Sequence, residues 1–247
     1  MRPLFQRRFP HDMEPTVTPR LSPTAVLVRP TWNRWLLLVL LGLAVGCNKP
    51  HAPPATLAAL TTLDAAGLTG LDLGRMNLLC AEGLPGVPPA ALADGLATLD
   101  AMAARVRAET ERHWGRFRAR PEEFEHSEGF FRLLMLAVVL AGDFGVAYHP
   151  ELRPAPGAAG WRDGFFREAR HVLLPGLLAA EGLAPGRAGR PRRGTCSSLP
   201  VLYVAVGRRL GYPLRLVATR SHLFVRWDGM GERFNVDASG EGLNRLD

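Results

Sequence analysis

The spacing of apolar positions changes character along this 247-residue chain. Between residues 57 and 185 it is helical. Residues 57–66 are rich in Leu and Ala. Pro88 and Pro89 open a stretch, 90–117, in which Leu92, Leu96, Leu99, Met102 and Val106 form the stripe of a helix laid on a core. Residues 127–140 (SEGFFRLLMLAVVL) are apolar on most sides, which predicts a central buried helix. Bounded by charges, that run is too short to span a bilayer, which takes about 20 residues. Residues 142–146 (GDFGV) break the pattern, and 165–178 read as a further helix. Residues 199–209 (LPVLYVAVGRR) are helical again through Leu199, Leu202, Tyr203 and Val206, with Pro200 in the first turn and Gly211 and Pro213 as stop signals. Strand-like segments follow at 214–219, 222–227 and 233–237, the last two joined by a turn at 228–231. The order predicts an α+β fold. A helical N-terminal lobe, 57–185, precedes a core, 186–247, built from one helix and antiparallel strands.

The chemistry gathers in that core. Cys196 stands in Gly194-Thr195-Cys196-Ser197-Ser198, just ahead of the helix, so that Thr195 or Cys196 falls at its N-cap among unpaired N–H groups. A thiol reacts as its thiolate, and a helix N-terminus or a nearby imidazolium lowers its pKa. His222 and Asp237 follow on two adjacent strands. With the turn centred near residue 230 they fall opposite each other, and cross-strand neighbours lie about 5 Å apart at Cβ. Nucleophile, base and orienting carboxylate therefore occur in order within one short segment.

At these residues the chain resembles the transglutaminase-like superfamily. The matching words are Gly194-Thr195-Cys196, Arg208-Arg209-Leu210-Gly211-Tyr212-Pro213, Ser221-His222-Leu223-Phe224 and Phe234-Asn235-Val236-Asp237-Ala238-Ser239, with Ser239 where Thr is more usual. A further stretch, 76–86 (MNLLCAEGLPG), is similar to the start of bacterial members that carry a helical region before the core. The resemblance implies a papain-like fold, with Cys196 as nucleophile, His222 as base and Asp237 as its partner. It implies a cysteine protease, amidase or acyltransferase working on peptide or protein amides through an acyl-enzyme. Hydrolysis is the better expectation, since no amine site is visible. The alternative is a non-catalytic, membrane-anchored binding or scaffolding module on the same fold. A Cys80–Cys196 disulfide, which would block the nucleophile, would favour that alternative.

The amino terminus bears on location. Six Arg precede an apolar run at 35–46, the length of a signal h-region and too short for a span, which takes about 20 residues. Ala44-Val45-Gly46 leads into Cys47, a lipobox-like arrangement that predicts cleavage before Cys47 and lipid attachment to its sulfur. On that reading residues 1–46 are a signal peptide, 47–56 a Pro-rich tether, and the protein is held in the cell envelope by acyl chains. An uncleaved anchor, a cytosolic protein with a spurious N-terminus, and a start at Met13 are the alternatives.

Charge changes the picture little. The formal net charge is +7, but residues 1–46 contribute +4 of it, which leaves too little to argue for a nucleic-acid partner. Lys49 is the single Lys, and the Arg are scattered except for Arg187, Arg190, Arg192 and Arg193 just before Cys196. That group is either a solvated loop or a source of positive potential that collects an acidic substrate. No CxxC and no metal-ligand spacing of His occur, and no phosphate-binding Gly loop is present, so neither a metal nor a cofactor is expected.

Overall fold

The computed structural model describes residues 52–152, 168–178, 191–220, 222–238 and 243–246. Polar residues start four of its helices. Thr56 caps α1 (Leu57–Thr61), Asp64 caps α2 (Ala65–Thr69), Asp72 caps α3 (Leu73–Leu79) and Ser127 caps α5 (Glu128–Gly142). In each a side-chain oxygen accepts an otherwise unpaired N–H of the first turn, an arrangement worth about 1 kcal/mol apiece. Between them runs α4 (Ala91–Ala119), whose Leu99, Met102 and Val106 are fully buried while Leu92 and Leu96 pack partly exposed on the same core. The apolar segment expected to lie centrally does so as α5, with Phe131, Leu133, Leu136 and Leu140 out of contact with water.

Within the stretch read as wholly helical, the break at 142–146 leads into a strand. β1 (Val146–Tyr148) pairs in parallel with β2 (Arg192–Gly194), Tyr148 opposite Gly194. The described part of 165–178 holds a 3₁₀ turn, Ala169–His171, and a short helix, α6 (Leu174–Leu178). β2 then runs into α7 (Ser198–Arg209), buried along almost its whole length. α7 ends in a Schellman turn: Gly211 takes φ +77°, Gly211 N–H bonds Arg208 O, and Tyr212 N–H bonds Gly207 O.

Four antiparallel strands complete the fold in the order β3 (Leu214–Ala218), β4 (Leu223–Gly229), β5 (Glu232–Asp237), β6 (Asn244–Leu246). The architecture is mixed helix and sheet, α+β as the pattern predicts. Pro54–Asp247 form one compact unit. Two devices lock sheet to helices. Trp227 on β4 is fully buried and lies so close to α5 that a Cβ on Gly129 would meet its Cε2 at 2.7 Å. Glu232 on β5 accepts the Gly129 N–H at 3.1 Å and the Ser127 hydroxyl, a carboxylate at the positive end of α5. At the other end of α7, Arg209 grips both Asp72 oxygens at 2.8 and 3.0 Å and Asp100 at 2.8 Å, tying α7 to α3 and α4.

Candidate active site

Parallel pairing sets where the thiol stands. β1 and β2 run side by side, and the chain leaving β2 turns at once into α7, so Cys196 sits where both strands end and the helix begins. The turn is fixed by Thr195, whose N–H donates to Ser198 Oγ at 2.9 Å, whose hydroxyl oxygen accepts the Ser197 N–H at 3.2 Å, and whose carbonyl accepts the Leu199 N–H at 3.0 Å. The N-cap is Ser197, one residue beyond the position expected, and it makes no side-chain cap. Cys196 therefore lies just outside the helix. It is 6% exposed and unpaired with Cys80, which is exposed at the end of α3; both are free thiols.

That environment alters the expected electrostatics. Burial pushes the Cys196 thiol above its ordinary range; hydrogen bonds from the side chains of Tyr148 and Ser197 pull it part of the way back, and the Asp237 charge pushes it up again. A helix N-terminus acts most strongly within its own first turn, and Cys196 precedes that turn. Desolvation wins, so the resting form is the thiol.

His222 and Asp237 come together. His222 Nε2 lies 3.3 Å from Asp237 Oδ1, with both side chains about one-quarter exposed. His222 is held by the turn that joins β3 to β4, its carbonyl accepting the Thr219 N–H at 2.8 Å and hydroxyl at 3.1 Å. The hairpin register differs from expectation. β4 and β5 are joined by a two-residue loop, Met230 and Gly231, both at positive φ (56° and 76°), the geometry of a type I′ turn. Val225 then faces Val236, which sets Asp237 one step further along β5 and diagonal to His222. The diagonal is within reach of an imidazole turned toward a carboxylate, as the 3.3 Å contact shows. Since Nε2 is engaged by the carboxylate, Nδ1 is the nitrogen left for proton transfer. The influence of Asp237 on the thiol places Cys196 in the same electrostatic neighbourhood.

Tyr148 was not legible as a functional residue. It is buried, its hydroxyl lies 3.4 Å from Leu152 O, and it hydrogen-bonds the Cys196 sulfur. The sequence separation is 48 residues, and only the parallel β1–β2 pair brings it there. Its one sequence signal is a tyrosine closing a short β-prone run after a Gly break. Of the arginine group before Cys196, Arg192 and Arg193 are described. Arg192 turns into the protein and donates to Leu178 O at 2.9 Å, whereas Arg193 is exposed. Arg187, Arg190, Ser221, Ser239, Cys47 and the apolar run at 35–46 lie outside the described residues. Among the described residues no group of His, Cys, Asp and Glu is arranged to hold a metal ion, and no helix is long and apolar enough to cross a membrane. Comparison with protein-family models, with curated proteins and with solved structures finds no match to the chain.

Proposed function

We propose that this protein is a cysteine enzyme of transglutaminase-like type on a papain-like core, acting on peptide or protein amides through an acyl-enzyme at Cys196. The observation that carries the reading is the His222–Asp237 contact at 3.3 Å, whose carboxylate charge also reaches a buried thiol at the head of α7. In the first half-reaction His222 takes the thiol proton as Sγ attacks the amide carbonyl, and Asp237 holds the ring and stabilises its cation without accepting the proton. The C–N bond then breaks as His222 returns the proton to the leaving amine. Water attacks the thioester in the second half, and an amine in its place would make the reaction a transfer. The developing oxyanion would take hydrogen bonds from the Cys196 N–H and from the Tyr148 hydroxyl. A thiol that rests protonated fits a base that acts once substrate is bound. It also means that simple alkylation near neutral pH is slow.

The test is capture of the acyl-enzyme. Incubation with a panel of activated peptide esters, followed by intact mass, should show one acyl group on Cys196, absent in Cys196→Ala and at least tenfold slower in His222→Ala. Acylation shared evenly between Cys80 and Cys196, or indifferent to His222, defeats the reading. The burial of the thiol supports a second one, a binding module that keeps the fold without the chemistry; that outcome is what the same failure would leave.

For location we propose export and lipid attachment at Cys47, on the strength of the short apolar run and the Ala44-Val45-Gly46-Cys47 sequence. Detergent partitioning should depend on Cys47, and an intact mass with an unmodified start at Met1 or Met13 overturns it.

A further inference from the structure

The turn that carries Cys196 is braced from outside as well as from within. Thr195 and Ser198 are each 1% exposed, and hydroxyls buried to that degree find partners. The Thr195 hydroxyl donates to His171 O at 2.7 Å while its oxygen accepts the Ser197 N–H at 3.2 Å. Ser198 Oγ accepts the Thr195 N–H at 2.9 Å. His171 closes the 3₁₀ turn ahead of α6, and the first residue of α6 is itself anchored: Leu174 N–H donates to Asn77 Oδ1, on α3, at 2.7 Å. The stretch 76–86, which supplies none of the three reacting side chains, thus gives a footing to the segment that holds Thr195. Gly194 leaves the turn no slack, since a Cβ there would meet Leu199 Cδ2 at 2.5 Å and Leu177 Cδ1 at 3.2 Å.

These bonds fix one peptide plane. The Thr195 carbonyl accepts the Leu199 N–H at 3.0 Å, at the start of the α7 ladder. A trans, planar peptide points its N–H opposite to its carbonyl. A carbonyl aimed along α7 therefore aims the Cys196 N–H back out of the helix's first turn. On the other side, the bond from Ser197 N–H to the Thr195 hydroxyl oxygen closes a tight side-chain turn around Cys196 and stops that plane from swinging. Of three consecutive amides, those of Thr195 and Ser197 are spent on side-chain oxygens. The amide between them is the one that the acyl-enzyme reading gives to the oxyanion. We propose that Thr195 is a positioning residue for the reaction at Cys196: its hydroxyl, held between His171 O and the Ser197 N–H, aims the Cys196 N–H at the developing oxyanion, and Ser198 braces it. This deepens the cysteine-enzyme reading and rests on it. An oxyanion donor works because it is already in place when charge develops; losing one costs roughly a hundred- to a thousandfold in rate, and a misplacement of about 1 Å costs about a hundredfold.

The experiment compares two reactions of the same sulfur in the full chain. Acylation by p-nitrophenyl esters of short acetylated peptides forms an S–C bond at a carbonyl, passes through an oxyanion and expels nitrophenolate. Alkylation by iodoacetamide forms an S–C bond as C–I breaks and the thiol proton leaves, with no oxyanion. Both are read at Cys196 by peptide mass mapping below the melting midpoint of each variant, with exposed Cys80 as the internal reference. Thr195→Val keeps the shape of the side chain and removes the hydroxyl. It should lower the maximal acylation rate about ten- to a hundredfold, with the half-saturating ester concentration and the alkylation rate held within about threefold. Thr195→Ser, which restores the hydroxyl, should return acylation to within about threefold of the parent chain. Ser198→Ala deletes only the acceptor of the Thr195 N–H; it should show the same split and decides the matter if Thr195→Val does not fold. Acylation and alkylation that fall together, acylation at the parent rate in the variants, or no recovery in Thr195→Ser overturns the positioning role alone. A parent chain that is not acylated at Cys196 sinks the enzyme reading, and the positioning role with it.

Discussion

Tyr148→Phe isolates one contribution to the thiol. The ring stays, so the buried packing of β1 against α5 and β2 is retained, and only the hydroxyl is lost. That hydroxyl stabilises the thiolate over the thiol, against burial, which acts the other way and is larger. A hydrogen bond to a charged acceptor is worth about 1.5–3 kcal/mol. Its removal should push the already elevated thiol pKa further up, each loss of about 1.36 kcal/mol being a factor of ten in the thiolate-to-thiol ratio. Well below the pKa the thiolate fraction falls by the same factor, so alkylation of Cys196 by iodoacetamide at fixed pH should slow about ten- to a hundredfold. The assay is the pH dependence of the alkylation rate from pH 6 to 11, resolved by peptide mapping. Cys80, exposed at the end of α3, reports in the same tube that reagent and pH are unchanged. The curve for Cys196 should move to higher pH in the variant and that for Cys80 should not move. A coincident or downward-shifted Cys196 curve would refute the assignment of Tyr148 as a donor to the sulfur.

Asp237→Asn should have opposite effects on two readouts: acyl transfer should fall by about three to four orders of magnitude through loss of imidazole orientation, while the thiol pKa drops because a repelling charge has gone; Asp228→Asn, which breaks only an exposed pair with Arg233, should change neither. Stability should decline at alkaline pH. The folded-state pKa values of Cys196 and buried Tyr203 are raised, so the unfolded chain releases those protons first, and stability is present below the unfolded values and lost as pH rises above them. Denaturant melts should show a shallower decline between pH 8.5 and 10 in Cys196→Ala, and an identical profile would remove the thiol from the linkage. Arg209→Ala should lower stability by about 1–3 kcal/mol, since it breaks a two-pronged, largely buried pair with Asp72, and Arg209→Lys should recover only part of the loss in a thermal melt because an ammonium cannot span both oxygens.

Local physics made much of this chain readable. The stripe on α4, the all-round apolar α5 and the Gly211 stop of α7 follow from periodicity and from stop signals. So does the Cys196, His222, Asp237 order, because strand alternation and a short hairpin leave the last two residues little freedom to separate. The hairpin register was missed by two positions. Met230 occupies a left-handed conformation usual for Asn or Gly, so the sequence carries no signal of a two-residue loop there. The helical reading of 57–185 hid β1 for a similar reason: three residues have no period of their own, and Val146–Tyr148 become a strand only when β2 arrives beside them.

What the tertiary structure alone decided is the state of the thiol. From sequence, a cysteine before a helix reads as activated by the helix dipole. In the fold it stands one residue ahead of the N-cap and beneath enough protein that desolvation outweighs both side-chain hydrogen bonds. Residue order along the chain determined which groups could meet. The direction of the thiol's pKa and the Tyr148 contact depend on groups brought together across 41 and 48 residues, where no local rule applies and only packing sets the dielectric each charge feels.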